Sequence, residues 1–143
     1  MKYLLLMLVL IAPQTASARI GETVEQCNKR YGKPVTKDVN SMSYIVKGYL
    51  LTLEFHKSVC DSITYSKTDD SPIADEVIKN LMSKAGKGWV VVGVSPEWKV
   101  WETPRMRALY NKKHHGLWIK TSAYHRRGEA EFNKEELEAV GDF

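Results

Sequence analysis

The chain has 143 residues, of which 27% are charged, and its formal net charge is +4. This length fits one domain, and no apolar stretch reaches the roughly 20 residues that a membrane-spanning helix needs. The basic excess is small and evenly spread, whereas nucleic-acid-binding proteins concentrate basic residues into a stripe. We therefore expect neither a membrane-spanning helix nor a nucleic-acid partner.

The first 18 residues have the three parts of a secretory signal peptide. Lys2 supplies the positive start, Tyr3–Ala12 the apolar core, and Ala16 and Ala18 the A-x-A pattern that a signal peptidase accepts. The alternative, a helix buried in the domain, fits poorly because the segment is apolar on all sides. We expect cleavage before Arg19 and export to the periplasm or the medium. We expect no lipid anchor, since lipidation needs a cysteine at this position.

Cleavage would leave 125 residues with 20 basic and 17 acidic side chains, a net charge of +3. The two cysteines of the chain are Cys27 and Cys60. Because paired thiols in an exported chain oxidise by default, we expect a disulfide between them. Their spacing matches neither a redox motif nor a zinc site. Cys60 is out of phase with the core-facing positions of its predicted strand, which a bulge or an early strand start would resolve.

The clearest local signal in the chain predicts a helix over 24–31. Thr23 is a suitable N-cap with Gln26 three residues later, as in a capping box. Gly32 can adopt the left-handed conformation that ends a helix, and Pro34 prevents the helix from resuming.

Three strand-like segments follow this helix, at 43–47, 49–56 and 59–66. Apolar and polar residues alternate along the last two, which is typical of strands with one buried face. The connections Lys47–Gly48 and Lys57–Ser58 are tight, so the segments predict an antiparallel meander.

A second helix and four more strands make up the next part of the chain. Ser71 is the predicted N-cap of this helix, Pro72 its first residue, and Gly86 its end. The predicted strands are 89–94, 98–103, 106–111 and 117–122.

The order of these elements predicts an α+β fold of two consecutive helix-plus-antiparallel-meander units, with the helices on one face of the sheet. The units span about 19–67 and 68–123, which suggests a tandem duplication, although they share almost no residues. The segment 124–143 is predicted as a polar C-terminal tail with a short helix over 133–140.

The first helix also carries a family resemblance. Its spacing G-x-T-x-x-x-C-x-x-x-Y-G-x-P resembles the motif that opens the small lipoprotein subunit of the outer-membrane β-barrel assembly machinery. The helix–meander doubling looks like the tandem-repeat plan of the secreted β-lactamase inhibitor protein. The motif residues here are Gly21, Thr23, Cys27, Tyr31, Gly32 and Pro34. Unlike the assembly factor, this chain has no lipidation cysteine and has a second unit. The resemblance implies the fold, and an open sheet face that meets a partner.

All four tryptophans lie in the second unit. Strand alternation predicts that Trp101, Trp118, Arg107 and Lys120 face away from the core. Exposed tryptophan and arginine side chains are enriched at protein interfaces, so these four residues form a candidate protein-binding surface. Local packing against a neighbouring strand or the tail explains the same residues at least as well, because alternation in short strands slips easily.

Signals for catalysis, metals and cofactors are weak. His114 and His115 lie in a lysine-rich turn without a carboxylate or thiolate to complete a metal site, so they are interpreted as solvated. Glu54 and Asp61, on neighbouring strands, lack the pocket that an acid–base pair needs. The serines near Cys60 lack the turn that activates a nucleophile.

The leading hypothesis is an exported, non-enzymatic protein-binding module, either inhibitor-like or envelope-associated. It needs no cofactor or metal, and its partner and oligomeric state are undefined. A structural or scaffold protein without a specific ligand site is the second hypothesis, and a small hydrolase is a distant third.

Overall fold

The computed structural model describes residues 19–141, with side chains up to Glu131. The expected signal peptide at 1–18 lies outside the described residues. Within 19–141, none of the helices combines the length and the apolar character needed to cross a membrane.

Helices and strands alternate in runs along the chain. The three helices are α1 (Val24–Tyr31), α2 (Asp75–Ala85) and α3 (Ser122–Gly141). The first four strands are β1 (Thr36–Lys37), β2 (Ser41–Val46), β3 (Tyr49–His56) and β4 (Val59–Lys67). The last four are β5 (Val90–Val94), β6 (Trp98–Glu102), β7 (Met106–Asn111) and β8 (Gly116–Thr121).

The eight strands form one antiparallel sheet in the order β1-β2-β3-β4-β8-β7-β6-β5. Each run of four is a meander, and the last strands of the two runs, β4 and β8, pair at the centre of the sheet. The expected α+β class with antiparallel meanders is confirmed. Because of this order, β1 and β5 form the two edges of the sheet.

Local sequence signals set several boundaries as predicted. Thr23 and Gln26 form both hydrogen bonds of the capping box at the start of α1. The turn between β3 and β4 has φ of 50° at Lys57 and 65° at Ser58. Positive φ at both central residues is typical of the turn that matches the twist of a hairpin.

The start of α2 differs from the prediction. The helix begins at Asp75, and its N-cap Ala74 provides no side-chain hydrogen bond. Ser71, the predicted N-cap, instead donates its hydroxyl to Asp69 at 2.6 Å. This local turn uses the side chain that would otherwise cap the helix. The predicted end of α2 at Gly86 is confirmed.

The core lies on one face of the sheet, called here the first face. Fully buried Leu53, Ile63 and Ile119 occupy neighbouring strands at paired positions. Cys27 of α1 and Met82 of α2 belong to the same buried cluster. Residues of the sheet and of these two helices therefore share one core.

A bulge brings Cys60 into this core. Glu54 pairs with Ser62 and Phe55 with Cys60, which leaves Asp61 as an extra residue in β4. The extra residue shifts the alternation of buried and exposed positions along β4 by one, so Cys60 is buried together with its partner Phe55.

The expected Cys27–Cys60 disulfide is not present: both cysteines are buried free thiols. Each thiol has a polar neighbour of its own. The Cys60 Sγ lies 3.5 Å from the carbonyl oxygen of Ser62, and the Cys27 Sγ lies 4.0 Å from a carboxylate oxygen of Glu22. An oxidising compartment favours a disulfide chemically, but the bond also needs the two side chains to be oriented towards each other.

The C-terminal segment also differs from the prediction. A single helix, α3, begins at Ser122 directly after β8, in place of a polar tail with a short helix over 133–140. The hydroxyl of Thr121 accepts a hydrogen bond from the backbone N–H of Tyr124 and so caps the first turn.

Candidate binding site on the second face of the sheet

The second face of the sheet, opposite the core, carries the candidate site. Its central positions alternate with those of the core: Ser62 and Thr64 on β4, Trp118 and Lys120 on β8, and Leu109 on β7. Helix α3 contacts this face and lies against β8 and β4. The expectation that helices lie on one face therefore does not extend to α3.

Tyr124 holds the start of α3 against the sheet. Its ring meets the ring of Trp118 edge to face, with the centroids 5.8 Å apart. This geometry places the positive edge of one ring near the negative face of the other. The Trp118 indole N–H donates to the Ser62 hydroxyl at 2.6 Å. Trp118 is thus fixed in orientation on two sides.

Lys120 is buried between these rings, with only 6% of its surface exposed. Its Nζ lies 3.9 Å from the centroid of the Trp118 ring and 6.0 Å from that of Tyr124. The negative ring faces stabilise the ammonium group in place of water. Burial lowers the pKa of Lys120, and nearby Arg107 lowers it further. The charge of Lys120 is therefore stabilised by side chains of the protein itself and is not presented at the surface.

The bulge in β4 provides the second attachment of α3. The extra residue, Asp61, is buried and forms an ion pair with Arg127 of α3. The guanidinium of Arg127 also lies 5.9 Å from the ring centroid of Tyr124. Bulges often redirect one side chain out of the regular alternation, and here the redirected carboxylate binds the helix.

A third attachment lies at the other side of α3. Arg107 on β7 has its Nε 3.0 Å from a carboxylate oxygen of Glu102, and its Nη1 3.3 Å from Nε2 of His125. His125 lies 3.1 Å from the carboxylate of Glu129, one helical turn later. Each carboxylate of this cluster therefore lies beside a nitrogen-bearing side chain of the same chain.

An open groove of about 450 Å³ remains on the second face beside α3. We call it the aromatic groove. Trp98, Leu109 and Trp118 supply its apolar surface, and Thr52, Thr64 and Asn111 supply neutral polar groups. Its remaining lining residues are Glu54, His114, Gly116 and Tyr124.

A second cavity, also of about 450 Å³, lies on the other side of Tyr124 and Glu54, which line both spaces. It contains Asp61 and Arg127. Burial and a hydrogen bond with Glu54 raise the pKa of Tyr124, so its hydroxyl stays protonated at neutral pH. Of the acids in this cavity, Glu54 is thus engaged with Tyr124, and Asp61 is engaged with Arg127.

The structure separates the four predicted site residues. Trp118, Lys120 and Arg107 lie on the second face as predicted, but Trp101 lies in the core with 8% of its surface exposed. The predicted exposure of Trp101 is wrong because Trp101 pairs with Ala108, which is fully buried. The predicted exposure of Lys120 is wrong because α3 covers it. Trp118 and Arg107 are partly buried.

Of the groove residues, only Trp118 was among the predicted site residues. The large apolar or aromatic side chains that were missed are Trp98, Leu109 and Tyr124. Trp98 is the exposed tryptophan, with 37% of its surface accessible. Leu109 pairs with Trp118 across β7 and β8, which places both on the second face. The register between β6 and β7 could have identified Trp98, because it pairs with Asn111, which lines the groove together with Leu109.

The histidines have separate surroundings. Nδ1 of His115 lies 2.6 Å from the backbone carbonyl oxygen of Asp70, and His125 lies beside Glu129. Within residues 19–131, no cluster of three or more histidine, cysteine or acidic side chains has the arrangement of a metal site.

Comparisons of the chain with protein-family models, with curated proteins and with solved structures found no match.

Proposed function

We propose that this chain is an exported, non-enzymatic protein-binding module and that the aromatic groove is its binding surface. The observation that carries the proposal is the partly exposed Trp98 beside Leu109 and Trp118 in one concave space. Tryptophan in a pocket is the side chain most enriched among residues that dominate binding energy.

The distribution of charge on the second face supports a neutral ligand surface. Lys120, Arg107 and Arg127 are engaged with rings or carboxylates around α3. Apart from Glu54 and His114, the side chains that line the groove are uncharged threonine, asparagine, leucine and aromatic residues. The side chain that the partner inserts is accordingly apolar or aromatic, with hydrogen-bonding groups at its rim.

We also propose that the chain consists of two related units, each a helix followed by a four-stranded meander. The order of elements supports this interpretation, since α1 precedes β1 to β4 and α2 precedes β5 to β8. On this proposal, a relationship to the β-lactamase inhibitor protein or to the small barrel-assembly lipoprotein would be one of architecture.

The export part of the proposal has its own test. Mass spectrometry of protein recovered from the extracytoplasmic fraction should give a mature N-terminus at Arg19. A chain that still begins at Met1 would contradict export.

The binding part is tested by capture from envelope and culture-supernatant fractions with purified protein as bait. Trp98→Ala removes the exposed ring, and Thr64→Arg places a long charged side chain in the groove. A specific partner should be captured by the unmodified protein and lost with both variants. Purified partner should then bind the Trp98→Ala variant about 30-fold more weakly by calorimetry, as for a central interface tryptophan.

Val39→Ala is the matched control, since Val39 is 96% exposed and lies outside the aromatic groove. It should capture the partner as the unmodified protein does. A partner that binds Trp98→Ala and Thr64→Arg at full strength would show that recognition occurs elsewhere. If no partner is captured, the scaffold hypothesis replaces the binding hypothesis.

A further inference from the structure

One ring nitrogen of His125 lies between two partners that it cannot satisfy at the same time. Its Nε2 lies 3.3 Å from Nη1 of Arg107 on β7 and 3.1 Å from a carboxylate oxygen of Glu129 on α3. A guanidinium group can only donate hydrogen bonds, and an ionised carboxylate can only accept them. The Nε2 atom either accepts through its lone pair or donates its N–H. The presence of a proton on Nε2 therefore decides which of the two partners is bonded.

The two partners of His125 belong to different parts of the fold. Arg107 is a residue of the sheet, so its hydrogen bond to His125 attaches α3 to β7. Glu129 follows His125 by one helical turn, so a bond between these two stays within α3. Arg107 also has a partner within the sheet, because its Nε lies 3.0 Å from a carboxylate oxygen of Glu102 on β6. Without the bond between Arg107 and His125, sheet and helix each keep an ion pair of their own.

The charged groups around His125 come from five strands and from α3 itself. They are Arg107 on β7, Glu102 on β6, Lys120 on β8, Asp61 on β4, Glu54 on β3, and Arg126, Arg127 and Glu129 on α3. Asp61 is engaged with Arg127, and Glu54 with the hydroxyl of Tyr124. On the sheet side, Glu102 balances only one of the two cations Arg107 and Lys120. A positive charge on His125 is therefore repelled by the sheet and attracted by Glu129 within the helix.

We propose that His125 is a pH-dependent switch that attaches α3 to the sheet at neutral pH and releases this attachment in mild acid. Histidine is the side chain that ordinarily changes its charge between pH 5 and 8. Neutral His125, with its proton on Nδ1, accepts the hydrogen bond from Arg107. Protonated His125 donates to Glu129 and repels Arg107, which keeps Glu102 as its partner. The proton thus replaces a bond between helix and sheet by a bond inside the helix.

Release of this attachment changes the second face locally. The attachments of α3 at Tyr124 and Arg127 remain, so the helix loosens without leaving the sheet. Lys120 lies buried under α3, and Tyr124 forms part of the wall of the aromatic groove. Mild acid should therefore expose Lys120 more often and make this wall more mobile. The four residues of the switch do not line the groove, so the inference does not depend on the proposed binding function.

The tautomer of neutral His125 is the first test, and it uses the unmodified protein. Long-range ¹H–¹⁵N correlation spectra of the imidazole rings report which nitrogen carries the proton. At pH 8 the His125 ring should carry its proton on Nδ1, and at pH 5 both nitrogens should be protonated. A proton on Nε2 of the neutral ring would overturn the proposal, because this nitrogen could then not accept from Arg107.

Hydrogen–deuterium exchange of the full-length protein tests the release of α3. Helices obtain most of their stability from packing, so a loosened α3 also loses protection of its backbone amides. Between pH 7.5 and 5.5, after correction for the chemical exchange rate, protection over 122–131 should fall about three- to tenfold, as for the loss of one hydrogen bond to a charged group. The amides of β3 should keep their protection.

Two substitutions separate this switch from other effects of pH. His125→Gln is neutral at every pH and can accept from Arg107 through its amide oxygen, so its α3 should stay protected at pH 5.5. His125→Lys carries a positive charge throughout and should show the low protection already at pH 7.5. His56→Gln is the control, since His56 is exposed and lines the cavity on the other side of Tyr124, and it should keep the full response. Protection that does not change with pH, or that falls in His125→Gln as in the unmodified protein, would show that the proposal is wrong.

Discussion

Trp101 and Trp98 lie on the same strand with opposite surroundings, so truncating each to alanine measures the orientation of β6. Trp101 is 8% exposed and Trp98 is 37% exposed. For an aromatic side chain that can bury up to about 250 Å², this difference is roughly 70 Å² of buried surface. At about 25 cal/mol per Å², the difference is roughly 2 kcal/mol.

Trp101→Ala also leaves a cavity in the packed first face, so its total cost should be about 3–5 kcal/mol. Trp98→Ala opens no enclosed space and should cost about 1–2 kcal/mol. Denaturant unfolding monitored by circular dichroism measures both free energies, and the two variants control each other in residue type and strand. Equal losses, or a larger loss for Trp98→Ala, would refute the orientation of β6 and with it the assignment of Trp98 to the aromatic groove.

Three further predictions concern the thiols and one turn. Cys27 and Cys60 should react with a thiol reagent very slowly in the native protein at pH 8, and should titrate as two free thiols after unfolding in denaturant. The absence of any reactive thiol after unfolding would indicate a disulfide. Burial raises the pKa of Cys27 from 9.0 to about 11. The buried neutral thiol therefore contributes fully to the free energy of unfolding below pH 9, and this contribution is lost as the pH rises towards 11. A free energy of unfolding that stays constant across this pH range would contradict the prediction. Replacing Lys57 and Ser58 by Asn and Gly should raise the thermal unfolding midpoint by roughly 4 °C, because Asn-Gly relieves about 1 kcal/mol of left-handed strain. An unchanged midpoint would show that the turn is not strained.

The elements that sequence predicts well are those set by local chemistry. The capping box of Thr23 and Gln26 defines the start of α1 through contacts three residues apart. The turn at Lys47–Gly48 has a two-residue length and a glycine, which suffices to define a hairpin. Such signals need no knowledge of the rest of the fold.

The orientation of Trp101 was also predictable, although alternation within β6 alone gave the wrong face. The backbone N–H of Thr103 bonds to the carbonyl oxygen of Met106, which closes a two-residue turn. Counting outward from this turn places Trp101 opposite Ala108, and alternation along the strand puts Ala108 on the face opposite the outward-facing Arg107. Consistency across a hairpin is therefore a stronger guide than the pattern of one short strand.

The burial of Lys120 was not predictable from the strand. Its alternation correctly places it opposite the core, but its exposure depends on α3, which begins two residues later and turns over this face. The side chains of α3 that meet the sheet are Tyr124, His125 and Arg127, so the helix up to Glu131 shows no apolar stripe that would indicate docking. One of its attachments, Asp61, reaches it only because of a bulge far away in sequence.

The distribution of charge on the second face also predicts how partner binding responds to salt. In the aromatic groove the nearby cations are already paired with rings or carboxylates, so partner binding there should change less than about threefold between 50 and 500 mM salt. Exposed ion pairs are screened when the Debye length falls to a few ångström, so an interface held by rim charges would lose affinity several-fold over the same range. A groove complex that weakens that steeply would mean that rim charges, and not Trp98 and its neighbours, carry recognition.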